Sequence, residues 1–149
     1  MLFRSPGENW GNSSPEDITR RSIYIHIKRS LPVPIMQSFD VADPDSSCPV
    51  RFNTVQPTQA LGMLNSEFVN EEAGKFAEQV ERELPGDLSG QVRLILSRVW
   101  QRKPTSAEVQ DGVDFIRSLG SKREEGATVS PLKLFCVVAL NLNEFMYLD

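Results

Sequence analysis

Residues 66–86 read SEFVNEEAGKFAEQVERELPG, and this stretch decides the fold. Val69, Ala73, Phe76, Ala77, Val80 and Leu84 recur at three- and four-residue intervals, which places them on one face of an α-helix. Ser66 stands where a helix needs an N-cap, and Pro85-Gly86 stops the pattern. An amphipathic helix has to bury its apolar stripe against other elements, and the flanking sequence supplies them.

Downstream, Leu88, Val92, Ile95, Leu96 and Val99 repeat the same spacing, and Lys103-Pro104 ends that helix. Thr105 and Glu108 form a capping box that opens a helix with Val109, Val113 and Ile116 inward, and Gly120 is its expected C-terminal stop. A polar linker spans residues 121–129. Ser130-Pro131 starts a last helix that is apolar nearly all round, which predicts central burial. At about half the length of a membrane span, and broken by Lys133 and Asn141, its apolar run predicts a core helix and no membrane insertion.

Upstream, residues 57–64 form a short helix. Residues 31–57 carry Pro32, Pro34, Pro44, Pro49 and Pro57 with Asp40, Asp43 and Asp45, so no long helix survives there. So long a loop is expected to be ordered, pinned by its own side chains or by function. Ser14-Pro15-Glu16-Asp17 reads as a helix start. Ile23, Ile25 and Ile27 alternate with Tyr24, His26 and Lys28, which is strand periodicity, while Ile18 and Ile25 also share a helical face. The reading is a short helix followed by an extended piece.

The expected architecture is mainly α. It is a small multi-helix bundle with a long, ordered, proline-rich loop and room for one short strand near the N-terminus. A length of 149 residues fits a single domain over 1–149. Within it, 1–13 is an irregular lead, 14–57 holds the short helix, extended segment and proline-rich loop, and 58–149 is the helical bundle.

Composition narrows function mainly by exclusion. With 40% hydrophobic and 24% charged residues, the chain is neither disordered nor a disulfide scaffold. A net charge of −4 argues against nucleic acid, because phosphate neutralisation needs a clustered basic surface. The local run Arg20, Arg21, Lys28, Arg29 is offset by acidic neighbours. Cys48 and Cys136 form neither a CxxC nor a haem-attachment motif, and their spacing leaves a disulfide undecided.

No catalytic constellation and no metal set stands out, and no cofactor is implied. His26 is the only histidine, so a metal- or haem-supporting role would need ligands from elsewhere in the fold. The three loop aspartates lack the glycine and the twelfth-position glutamate of an EF-hand, and beside proline and serine they suit Asx-turns. Cys48 has cationic Arg51 nearby but no base beside it, and Cys136 belongs to packing.

The polar set of most interest is Asp40, Arg51, Asn53, Gln59 and Asn65, which bracket the short 57–64 helix. Gln59 can satisfy loop backbone groups, Asn65 can end one helix and cap the next, and Arg51 can pair with Asp40 or Asp45. Alternatively the set lines a pocket for a polar ligand such as a sugar. Trp10 and Trp100 are the candidate interface residues. Trp100 sits off its helix's main apolar stripe, where an aromatic can cover a neighbouring domain.

The string Arg20-Arg21-Ser22-Ile23-Tyr24, then Lys28-Arg29, Pro34, Phe39-Asp40, Cys48, Arg51, Pro57-Thr58-Gln59-Ala60-Leu61 and Leu64-Asn65, forms an ordered pattern. It resembles the C-terminal domain of unknown function found in large planctomycete-type cytochrome c proteins. Leu140-Asn141 and Asn143-Glu144-Phe145 resemble that domain's usual ending. The resemblance spans about Trp10 to Asp149 and covers only the C-terminal part of the domain, so the chain looks like a fragment or a shortened relative.

The resemblance implies neighbouring domains in a larger parent, a cytochrome c module among them, and an exported or periplasmic setting. It implies no activity, and without a haem motif here electron transfer does not carry over. The resulting expectation is a structural or interaction module, with the chain more a non-enzyme than an enzyme by itself. The alternative is part of an enzyme acting on glycans or another polar substrate, its site shared with upstream segments. Oligomeric state is left open.

Overall fold

The computed structural model describes residues 20–24, 36, 37, 39, 41, 57–121 and 129–146. The chain divides into two compact units, residues 1–56 and 57–149.

In the first unit, Ser22–Tyr24 form one turn of 3₁₀-helix, closed by Tyr24 N–H donating to the Arg21 carbonyl at 3.0 Å. Ile23 and Tyr24 are largely exposed. Around Met36 a tight turn forms, whose carbonyl accepts from the amides of Phe39 and Val41, both at 3.1 Å. The helix expected from Ser14, the extended piece after Tyr24 and most of the proline-rich loop lie outside the described residues.

The second unit is all helix and connection among the described residues. Its elements are α1 (Pro57–Leu64), α2 (Glu67–Glu83), α3 (Leu88–Trp100), α4 (Ser106–Ser121), α5 (Pro131–Ala139) and the single turn α6 (Asn143–Met146). Helices α2 to α5 close a ring in which α2 meets α3, α3 meets α4, α4 meets α5 and α5 returns to α2; α1 packs on α2 and α6 on α3. The mainly α multi-helix bundle expected from the sequence is what forms.

Local chemistry explains where each helix begins. Ser66 Oγ accepts from Val69 N–H at 3.4 Å and caps α2. Asp87 caps α3 by accepting from Gly90 N–H at 2.9 Å. The capping box before α4 is complete: Thr105 N–H donates to Glu108 Oε2 at 2.6 Å, and Glu108 N–H donates to Thr105 Oγ1 at 3.3 Å. Ser130 accepts from Lys133 N–H at 3.1 Å, with Pro131 in the first turn of α5.

Where helices end, the outcome is more varied. After α2 the chain reverses through Gly86 at φ +76°, a left-handed conformation that glycine adopts without strain. Helix α3 stops at Trp100, ahead of Lys103-Pro104, because Gln101 takes a left-handed conformation (φ 55°) and serves as its C-cap. Gly120 does not stop α4, which runs on to Ser121; its φ is not positive, so the residue is spent as an ordinary helical position.

The core is formed by Ala73, Ala77 and Val80 of α2, Val92, Ile95, Leu96 and Val99 of α3, Val109, Val113 and Ile116 of α4, and Leu132, Phe135, Cys136, Val137 and Ala139 of α5. Ile95, Val80, Val92 and Cys136 are the largest side chains sealed from solvent. Full burial of a side chain such as Val or Ile is worth roughly 1.5–3 kcal/mol. These contacts, rather than helix propensity, hold elements this short.

At Gly112 three helices converge. A β-carbon there would lie 2.7 Å from Val92 Cγ1 and 3.0 Å from Phe135 Cζ, so only glycine lets α3 and α5 approach α4 this closely. The expectation of central burial for α5 needs correction. Leu134 and Val138 are 38% and 37% exposed, because three neighbouring helices cover only part of its circumference.

Candidate functional site

Around the α3–α4 corner lies the densest polar cluster among the described residues, centred on Arg102. The left-handed Gln101 turns the chain sharply after Trp100 and throws the Arg102 side chain back over the indole, with the guanidinium carbon 4.4 Å from the ring centroid. Arg102 donates to Glu108 through Nη1 at 3.1 Å and Nη2 at 2.7 Å, a bidentate pair. It also donates to Glu144 of α6, through Nε at 3.2 Å and Nη2 at 3.1 Å. One guanidinium thereby ties the α3 C-terminus, the α4 capping box and α6 together.

The electrostatics follow from this geometry. Glu108 is held down at a pKa of about 2, chiefly by its hydrogen bonds from Arg102 and then from the Thr105 amide. The Arg102 pKa is raised by the same partners, Glu108 first and then Glu144. With two carboxylates bonded and one aromatic face covering it, Arg102 is a clamp; it has no hydrogen-bonding edge left for a phosphate or carboxylate ligand.

Trp100 is half-buried against the core, with its indole under Arg102. Its Nε1 and the Oδ1 of Asn141 are buried without a hydrogen-bond partner among the described residues. The aromatic surface offered to a neighbour at this corner is therefore small. Trp10 lies outside the described residues.

Of the polar set singled out in the sequence, Asp40, Arg51 and Asn53 lie outside the described residues. Gln59 is on α1 and is 3% exposed, an unusual burial for an amide on a helix whose Leu61 and Leu64 face solvent. Asn65 is exposed; its amide closes α1 on the Leu61 carbonyl at 3.0 Å, and the cap of the next helix is Ser66. Gln59 and Asn65 thus differ in setting, one inside and one on a turn.

Sequence reasoning passed over four polar residues that the fold uses. Arg102 had no periodicity to mark it; only its place three residues before a capping box hinted at a role. Gln91 is buried, and its side-chain amide donates to the Leu84 carbonyl at 2.7 Å, pinning the α2–α3 turn. Glu83 and Arg98 join α2 to α3 at 2.7 Å, which lowers the Glu83 pKa.

Cys136 carries a free thiol in the core, pushed up to about 12 by desolvation, so it is an apolar packing group rather than a nucleophile. His26 and Cys48 lie outside the described residues. Among the described residues no group of three or more His, Cys, Asp or Glu side chains could hold a metal ion, and no helix is long and apolar enough to cross a membrane.

The apolar exterior is more distinctive than the polar one. Leu134, Val138, Leu142 and Phe145 are exposed along α5 and α6, and Phe115 of α4 is exposed with its ring 6.2 Å from that of Phe135. Leu61, Leu64 and Phe68 are exposed on α1 and the start of α2.

Residues 3–116 match the model of PSD1, a protein family of unknown function (DUF1553). The chain belongs to the PSD1 family. The family is the one whose pattern was read from Arg20 to Asn65, and the match begins earlier than Trp10. It ends within α4, so the Leu140-Asn141 and Asn143-Glu144-Phe145 strings lie beyond it. No curated protein and no solved structure matches this PSD1 chain.

Proposed function

We propose that this PSD1 chain is a structural and interaction module that packs against neighbouring domains of a larger polypeptide. The observation that carries the reading is the line of exposed apolar side chains on α5 and α6, on a helix whose composition suits full burial. The Arg102 clamp supports it too, since its charge is consumed in holding the bundle's corner together. The resemblance to planctomycete-type cytochrome c proteins supports a cytochrome c module as one neighbour and an exported setting. The residues of the glycan-enzyme alternative, Asp40, Arg51 and Asn53, lie outside the described residues.

Hydrogen exchange tests the proposal. Amides of residues 57–146 are compared in the chain alone and in the longer polypeptide that contains it. Added protection along an exposed apolar face is the expected result. Identical exchange in the two settings would remove the basis for the reading.

A further inference from the structure

Helix α5 has a single charged residue, Lys133, whose side chain lies along α2, 3.6–3.8 Å from where a β-carbon on Gly74 would stand. The next residue, rotated about 100° round the helix, begins the exposed line. Leu134, Val138, Leu142 and Phe145 are 38%, 37%, 36% and 47% exposed, at spacings of four, four and three residues. The break between α5 and α6 does not scatter them. Asn141 and Leu142 N–H groups donate to carbonyls three residues back, at 2.9 and 3.3 Å, so the rise continues through the turn. The result is one ridge about 16 Å long, roughly three helical turns.

Scattered exposed leucines need no explanation, but four in register on one ridge do. The size of the ridge selects its occupant. A stable homodimer buries about 800 Å² per partner, and four side chains each less than half exposed fall well short of that. A ridge of this length and single-helix width suits one added helix. Charge narrows the choice further. Asp111 lies four residues before Phe115 on the same face of α4, exposed and without an ion pair among the described residues. Arg102 is already neutralised by Glu108 and Glu144, and the Lys133 side chain lies along α2.

We propose that the Leu134–Phe145 ridge docks one amphipathic α-helix of a partner polypeptide, with apolar anchors at i, i+4 and i+7 and lysine or arginine on the flank meeting Asp111. This rests on the interaction-module reading above and deepens it.

The test is an NMR titration of the ¹⁵N-labelled full chain with a synthetic amphipathic helix of leucine and lysine, and with the same pattern in leucine and glutamate. The expected result is shifts confined to residues 134–145 and the surroundings of Phe115, with the lysine peptide bound at least about tenfold more tightly. The double variant Leu134→Ser/Val138→Ser loses that binding, and Leu61→Ser/Phe68→Ser, on the other exposed apolar face, keeps it. If the first double variant melts early, Asp111→Lys replaces it and is expected to reverse the preference between the two peptides. Shifts elsewhere, equal affinity for both peptides, or no binding would overturn the inference. Should the peptides fail while the longer polypeptide still protects the α1 face from exchange, the module reading survives and the ridge assignment does not.

Discussion

Single atoms decide the outcome at two positions. Gly112 has no room for a methyl group, since one would press on Val92 and Phe135 within 2.7–3.0 Å, and both belong to the packed core. Gly112→Ala is expected to destabilise the bundle by about 1–3 kcal/mol through overpacking, read as a lower urea midpoint at unchanged slope. A wild-type midpoint would show that α4 can shift outward at no cost.

Glu108 gives a pH signature. Its folded-state pKa of about 2 lies below its ordinary value of 4.5, so its contribution is complete above 4.5 and fades as pH falls towards 2. Glu108→Gln is therefore expected to flatten the acid side of the stability profile between those limits. An unchanged profile from thermal melts at each pH would dismiss Arg102 and Thr105 as its stabilising partners.

At the scale of elements, α6 is held by few contacts beyond its bonds to Arg102. It is a single turn with no buried residue, joined to the α3–α4 corner through Glu144. Arg102→Met keeps much of the packing over Trp100 and removes both ion pairs. Faster amide exchange confined to residues 143–146 and the first turn of α4 is the expected result. The difference should shrink in high salt, because these groups are exposed enough to be screened. Uniform acceleration across the bundle would instead assign Arg102 a role in the whole core.

The sequence showed these elements where the physics is local. Ser66, the Thr105–Glu108 box and Ser130-Pro131 each satisfy orphan amides within three residues, so their effect is written in adjacent letters. The ends were harder. Gln101 takes the left-handed cap that glycine usually fills, and Gly120 is passed over by α4. Neither follows from residue type. Arg102 was equally illegible, because its partner Glu144 lies 42 positions away and only the closed fold brings it near.

For the molecule as a whole, every member of the core cluster among the described residues belongs to residues 57–149. A chain of residues 57–149 is accordingly expected to fold alone, with a helical far-UV spectrum and a single cooperative melt. A broad, sloping melt would mean that the first unit supplies part of what holds the helices together. The apolar periodicities foretold which helices form and which faces turn inward. They overstated the burial of α5, because hydrophobicity on all sides says that cover is wanted and not that the same chain provides it.

The sulfur of Cys136 sits at the centre of α5 with none of its surface open to water. A thiol-modifying reagent can reach it only while the helices are parted. Its rate of alkylation is therefore a clock built into the protein, ticking once for each excursion that lays the interior bare, and it would time such openings without any added label.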